Sequence, residues 1–224
     1  TPLEIIIYNY VLKARDFHNS MNKGAPAYES AVAKKARIDK CNRDWQHLKV
    51  ERRKIAAHFK LQTQLTQYRE SCKQRSAFEL LAEKHHPTKT LAKNLAAVGE
   101  IKPTSFHEAH HIIPGKGRFM QADMELCRLN LHGFGYGIND PINGLWLRNF
   151  EPNRQDDWAT PKSPTHRPLH NENYEDWISD QFINDNLPEE IFINRLRTVK
   201  LKLKTGEHPS YITQKGASKT GSTA

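Results

Sequence analysis

Between Ala27 and His86 the chain contains neither glycine nor proline. Those two residues are the strongest helix breakers, one through backbone entropy and the other through its locked φ and missing N–H. A stretch that lacks both and is rich in Ala, Lys, Arg, Gln, Glu and Leu is constrained to helix. Within it Ile38, Cys41, Trp45, Leu48, Ile55 and Phe59 recur at spacings of three and four, with Arg52 interrupting. That stripe predicts a coiled coil or a helix hairpin, and packing against neighbouring helices accounts for it without any cofactor. An earlier helix is expected from Pro2 to about Asn19, with a turn at Asn22-Lys-Gly-Ala-Pro26. Pro87 restarts a short helix through Leu91, Leu95 and Val98, which Gly99 can cap. Residues 1–100 therefore read as one helical region, serving as a dimer seam, a partner-binding arm or a connector.

Near residue 100 the composition changes. Gly, Pro and aromatic residues concentrate from Ile101 onward, and Ile138-Asn-Asp-Pro-Ile-Asn-Gly144 is a turn cluster. Glu108 to Ile113 reads as a short extended segment ended by Pro114, and Leu145-Trp-Leu147 as a short apolar strand. A helix is expected from Phe119 to Leu131. The four prolines between Glu151 and Pro168 predict a loop. Helical patterns resume at Asn171–Asn184 and from Glu189 to about Lys204. The tail after Gly206, rich in Ser, Thr, Gly and Lys, reads as disordered. The expected class is α+β, mostly helical, with a helical region over 1–100, a second domain over 101–205 and a tail over 206–224.

Charge narrows the partners. The chain has 34 Lys and Arg against 25 Asp and Glu, a formal net charge of +9. Such an excess favours polyanions, nucleic acid first, through counterion release. The three cysteines Cys41, Cys72 and Cys127 are far apart and form no CxxC pair, which removes zinc-ribbon and thioredoxin readings. Reduced structural thiols are the expectation. No apolar run reaches membrane-spanning length and no signal peptide is visible. The chain starts at Thr1, as a fragment or processed piece of a longer protein would.

Five residues carry the chemistry: His110 and His111 in Phe106-His-Glu-Ala-His-His-Ile-Ile-Pro114, then Asn143 before Gly144, then His166 and His170 in His-Arg-Pro-Leu-His. A spacing of four can bring two imidazoles to one metal. Pro168 suits the first turn of a helix, so His166 is expected just before a helix and His170 within its first turn. Neighbours in a strand point to opposite faces. His110 and His111 can therefore serve one site only where the strand ends or bulges, and Pro114-Gly115 is the place. One ring can then bind a metal while the other, titrating near pH ~6.5 when unperturbed, stays free as a base. Asn143 is either an ordinary turn residue or a tie between its loop and the strand that carries the base. Lys116 and Arg118 follow closely and either grip a phosphate or form a solvated basic turn. A further doublet, His85-His86, reads as inert at a helix end.

Ala109-His110-His111, Asn143-Gly144 and His166 with His170 and Tyr174 together resemble the AHH group of the HNH/endonuclease VII nuclease superfamily, over roughly residues 101–185. The nuclease domains of DNA-degrading colicins share the order His-His, Asn, His-x-x-x-His. The resemblance implies a ββα-metal core, DNA cleavage with one divalent ion (Mg, Zn, Ni or Mn), and little sequence specificity. It also implies a toxin delivered by a bacterial secretion system into a target cytoplasm, with an acidic immunity protein as partner. It assigns His111 as general base, His110, His166 and His170 as metal ligands, and Asn143 as the residue that orients the loop. The long stretch from His111 to Asn143, holding the expected helix, departs from the pattern. Pro168 between the last two histidines does too.

Two other readings compete. His107-Glu-Ala-His-His111 also spells the H-E-x-x-H of zinc proteases, with Glu108 as base and Asp123, Glu125 or a distant His as third ligand. It requires a regular helix, and Pro103, Pro114 and the pair Ile112-Ile113 resist one. The other reading is a non-enzymatic basic helical module that binds nucleic acid or a partner helix.

Overall fold

The computed structural model describes residues 2–214. The chain divides after Thr63 into two compact units. The first unit holds α1 (Pro2–Asn22) and the start of α2 (Ala31–Lys73). Within it Lys13 Nζ reaches Glu51 Oε1 at 2.7 Å, Phe17 stacks on Trp45, and Met21 meets Cys41. As α1 advances from Lys13 to Phe17 to Met21, its partners step back along α2 from Glu51 to Trp45 to Cys41, so the two helices run antiparallel as a hairpin. Leu48, on the sequence stripe, is buried here.

The Gly- and Pro-free stretch is not one helix. α2 stops at Lys73, and α3 (Ala77–Leu81) starts afresh at Ser76. Ser76 Oγ accepts from the Glu79 N–H while the Glu79 carboxylate accepts from the Ser76 N–H. This reciprocal capping box satisfies backbone donors that a new helix start leaves free. The S-x-x-E signature is in the sequence; the absence of breakers hid it. α4 (Lys89–Ala97) follows, and Gly99, at φ +87°, takes the left-handed turn out of it.

The sheet has two antiparallel strands, β1 (His107–His111) and β2 (Gly144–Arg148), with His110 opposite Leu145 and His111 opposite Gly144. The connection between them holds α5 (Gln121–Gly133), which begins and ends two residues later than the sequence pattern predicts. α6 (Glu172–Phe182) and α7 (Glu189–Thr205) complete the main elements. Alternation decides what covers each sheet face. Leu145 and Leu147 point into the larger core, with Met124 and Leu131 of α5, Ile178 and Phe182 of α6 and Phe192 of α7. Ala109 and Trp146 point the other way, against Leu91 and Leu95 of α4. A Cβ on Gly144 would come within 2.4 Å of Leu91 Cδ1, so glycine lets α4 press against the end of β2.

The composition boundary near residue 100 and the packing boundary after Thr63 differ. α4 and the segment before it belong to the second unit. The proline-rich stretch is a structured loop, with 3-10 turns at Glu151–Asp156 and Arg167–Leu169. The start of the expected disordered tail also folds: Ser210–Thr213 form a 3-10 turn and Ile212 is fully buried in the main core. An aliphatic side chain among polar neighbours found its own burial. Residues 215–224 lie outside the described residues.

Candidate functional site

β1 ends at His111, and both His110 and His111 line one cavity of about 310 Å³ together with Pro114, Gly115, Lys116, Arg118, His166, His170 and Tyr174. Strand alternation sends the two rings to opposite faces, and the strand end lets both reach this space. The H-E-x-x-H segment is a strand rather than a helix. His107 and His111 therefore lie at opposite ends of it, and the geometry that a helical zinc protease needs is absent.

His166 arrives from the proline-rich loop. Arg148, fully buried at the end of β2, pairs with Asp157 at 2.7 Å and donates to the Ser163 carbonyl. The His166 N–H then donates to the Arg148 carbonyl at 2.7 Å. These contacts lay the loop back along the sheet and set His166 beside β1. His166 and His170 flank the 3-10 turn Arg167–Leu169, and α6 starts only after Asn171, whose side chain caps it. Sequence reading puts His170 inside the helix. The structure puts it before, because Pro168 favours a short tight turn and Asn171 is the better cap.

Ring nitrogens of His110, His166 and His170 all lie within 4.8 Å of one another. The rest of each network decides which nitrogens face inward. His166 Nδ1 contacts Glu108 Oε2 at 2.5 Å, and Arg167 contacts the same carboxylate. That leaves His166 Nε2, which faces His170 Nε2 at 2.9 Å. The Tyr174 hydroxyl donates to the Ile112 carbonyl at 2.9 Å, so its oxygen accepts from His110 Nε2 at 3.0 Å. His110 then keeps a bare Nδ1. A hydroxyl behind His110 and a carboxylate behind His166, with nitrogens of all three rings close together, suit a soft-to-borderline divalent cation.

Electrostatics keep these rings neutral. Burial pushes His110 well below the usual imidazole range, and the neighbouring His166, His170 and His111 rings lower it further. Partial desolvation brings His170, which keeps exposed surface, to about 4, helped by His166 and Arg167. Burial also lowers His166, partly offset by Glu108. For Glu108 burial works upward, but His166 and Arg167 outweigh it and the carboxylate stays below its ordinary value. Neutral imidazole with an ionised carboxylate behind it is the form that ligates a metal.

His111 has a different setting. Its Nε2 meets Asn139 Oδ1 at 3.1 Å. Burial lowers it to about 4 against the help of Asn139, with the His85, His86 and Arg128 charges adding to the fall. Asn143 ties the base of the loop to the residues that follow β1. Its Oδ1 accepts from the Ile113 N–H at 2.8 Å, and its Nδ2 donates to the Ile113 and Ile138 carbonyls.

Lys116 and Arg118 are exposed at the cavity rim. The backbone there is held from α6: the buried Glu175 carboxylate accepts from the N–H groups of Arg118, Phe119 and Met120 at 2.6, 2.8 and 2.7 Å. These donors lie in the turn that leads into α5, with Met120 at its N-cap, where a carboxylate is favoured.

Sequence reading missed several contributors. His85 and His86 lie in the loop between α3 and α4, not at an inert helix end, and both line the cavity, with ring centroids 6.4 and 6.5 Å from that of His111. Gly115 makes room, since a Cβ there would meet the His85 ring at 2.2 Å. Glu108, weighed as a protease base, stands behind His166. Asn139 carries no motif at all. The doublet His85-His86 was the one visible signal.

No curated protein and no solved structure matches the chain at a significant level. A family model described as "a nuclease family of the HNH/ENDO VII superfamily with conserved AHH" matches residues 91–206, just over half of the chain's 224 residues. The match runs from within α4 to the end of α7 and takes in Ala109-His110-His111 at the strand end. The chain belongs to the AHH family of nucleases.

Proposed function

We propose that this chain is a metal-dependent endonuclease that hydrolyses DNA phosphodiester bonds with little sequence specificity, on a ββα-metal core formed by β1, β2 and α6. The observation that carries the reading is the convergence of His110, His166 and His170, distant in sequence, with ring nitrogens within 4.8 Å. These three would hold one divalent ion, with Mg, Zn, Ni and Mn as the ions to test. When bound, it supplies positive charge to the scissile phosphate and the departing oxygen.

The chain's own residues do the rest. His111 takes the proton of the attacking water. A ring held near 4 is available unprotonated at neutral pH but is a weak base. The arriving phosphodiester brings negative charge beside it, which moves its basicity back toward neutral. Asn143 keeps the turn after β1 in register with the loop before β2, so that the two histidines keep their separation. Lys116 and Arg118 hold the backbone phosphates and read no base. The setting we infer is that of a secreted toxin, delivered by a bacterial secretion system into a target cytoplasm and neutralised by an acidic immunity protein. A net charge of +9 supports both the polyanionic target and the acidic neutraliser.

The test is incubation with plasmid, structured RNA and casein, each with and without chelator, and with each of the four ions restored. Plasmid cleavage that chelator abolishes is expected, with casein intact. Preferential RNA cleavage would overturn the DNA assignment. Undiminished cleavage in chelator would overturn the metal.

A further inference from the structure

Asn139 is buried, and every polar atom of its side chain is engaged. Nδ2 donates to Glu83 Oε1 at 2.6 Å and to the Lys84 carbonyl at 3.1 Å. Both partners only accept, so the amide nitrogen must face them and Oδ1 must face His111. The oxygen lies 3.1 Å from His111 Nε2. An amide oxygen cannot donate, so the neutral His111 ring carries its proton on Nε2 and leaves Nδ1 with a free lone pair. Glu83 is itself held. The Tyr68 hydroxyl donates to its carboxylate at 3.0 Å and accepts the Asn139 N–H at 3.1 Å. Gly137 lets these groups approach: a Cβ there would lie 2.1 Å from Tyr68 Oη and 2.8 Å from Glu83 Oε2.

We infer that Asn139, clamped by Glu83, is a positioning residue that fixes His111 in the one tautomer able to take a proton through Nδ1. The functional part rests on the reading of His111 as the base. Glu83 and Tyr68 lie before residue 91, where the family match begins. The clamp on the reacting ring is therefore supplied by the end of α2 and the loop after α3, from outside the matched segment. If the amide of Asn139 flipped, its NH2 would face His111 and draw the lone pair of one ring nitrogen, moving the proton to Nδ1 and leaving no acceptor for water. The Glu83 carboxylate and the Lys84 carbonyl oppose that flip, because both would then face an oxygen.

The experiment uses the full chain with 15N-labelled histidine, read by NMR in chelator at neutral pH, alongside kinetics on plasmid with the activating ion. Wild type should show His111 with a protonated Nε2 and a bare Nδ1. Glu83→Ala should give a mixed or reversed tautomer and lower kcat on the order of tenfold or more, with KM and metal affinity unchanged. Glu83→Gln, which restores an acceptor, should recover the wild-type tautomer and most of the lost rate. A protonated Nδ1 on His111 in wild type overturns the inference, with no variant needed. So does a folded Glu83→Ala with unchanged tautomer and kcat. If instead the tautomers behave as stated but His111→Ala cleaves at the wild-type rate, the positioning of the ring stands and the assignment of His111 as base falls.

Discussion

On one face of β1, His110 sits among the rings of His166, His170 and Tyr174. One residue later, on the other face, His111 sits against the Asn139 amide, with the His85 and His86 rings beyond. Both are buried and neutral, yet their partners prepare them for different work. Tyr174 and Glu108 hold the rear nitrogens of His110 and His166, and in front His166 Nε2 lies 2.9 Å from His170 Nε2, a place where a cation could replace the shared proton. Asn139 holds the rear nitrogen of His111 and leaves its other nitrogen with a lone pair. The contrast teaches that identity and burial do not assign a histidine its role. The group behind the ring does.

The sharpest way to break this comparison is to remove each ring in turn. His110→Ala and His170→Ala should weaken metal binding roughly tenfold or more, since a ligand is gone. His111→Ala should leave metal affinity nearly unchanged, although all three variants lose turnover. Metal-induced thermal stabilisation should follow the same split, because an ion that binds only the folded state stabilises in proportion to its affinity. Calorimetry and melting curves with and without metal read both. If His111→Ala loses the metal and His110→Ala keeps it, the two faces have been assigned the wrong way round.

A middle-sized effect comes from pH. His111 and His132 are each lowered to about 4 in the folded chain, mainly by burial. The unfolded chain, with imidazoles near ~6.5, binds more protons below that value. Stability therefore rises with pH across this window. The contribution is complete above pH ~6.5 and is lost as pH falls toward about 4. In chelator the melting temperature should drop by several degrees between about pH 7 and 5. A flat profile would mean that these rings are protonated or exposed in the folded state, and the neutral setting ascribed to His111 would fall.

The smallest effects belong to the rim. Lys116→Ala and Arg118→Ala, made in a His111→Ala background, should each reduce the slope of log affinity against log salt by about one. Affinity should fall alike for unrelated duplexes. A loss confined to one sequence would point to base readout instead of backbone contact.

Much of this was legible in the chain. The helices announce themselves by composition, β1 and β2 by short apolar or histidine-bearing runs between turns, and the histidine cluster by the order His-His, Asn, His-x-x-x-His. What stayed hidden is long-range. Glu108 reaches His166 and Asn139 reaches Glu83 across more than fifty residues, and no periodicity marks such pairs. The proline-rich segment reads only as a loop, because much of its order comes from a buried cation, Arg148, that strand patterning treats as misplaced. Ile212 shows the same limit in reverse: one aliphatic residue in a polar tail is too little signal for a pattern, yet enough to fill a place in the core.

The Arg148–Asp157 pair ties assembly of the histidine cluster to folding. A chain made from its N-terminus presents His110 and His111 first, and at that stage they are only two adjacent imidazoles. His166 and His170 come later and are brought to them only once Arg148 is buried and has drawn the intervening loop across the sheet. No partly made or unfolded chain has the three nitrogens together, and a site assembled only by folding binds its ion only when folded. The three-ring cluster is thus a property of the folded chain and of no segment of it taken alone.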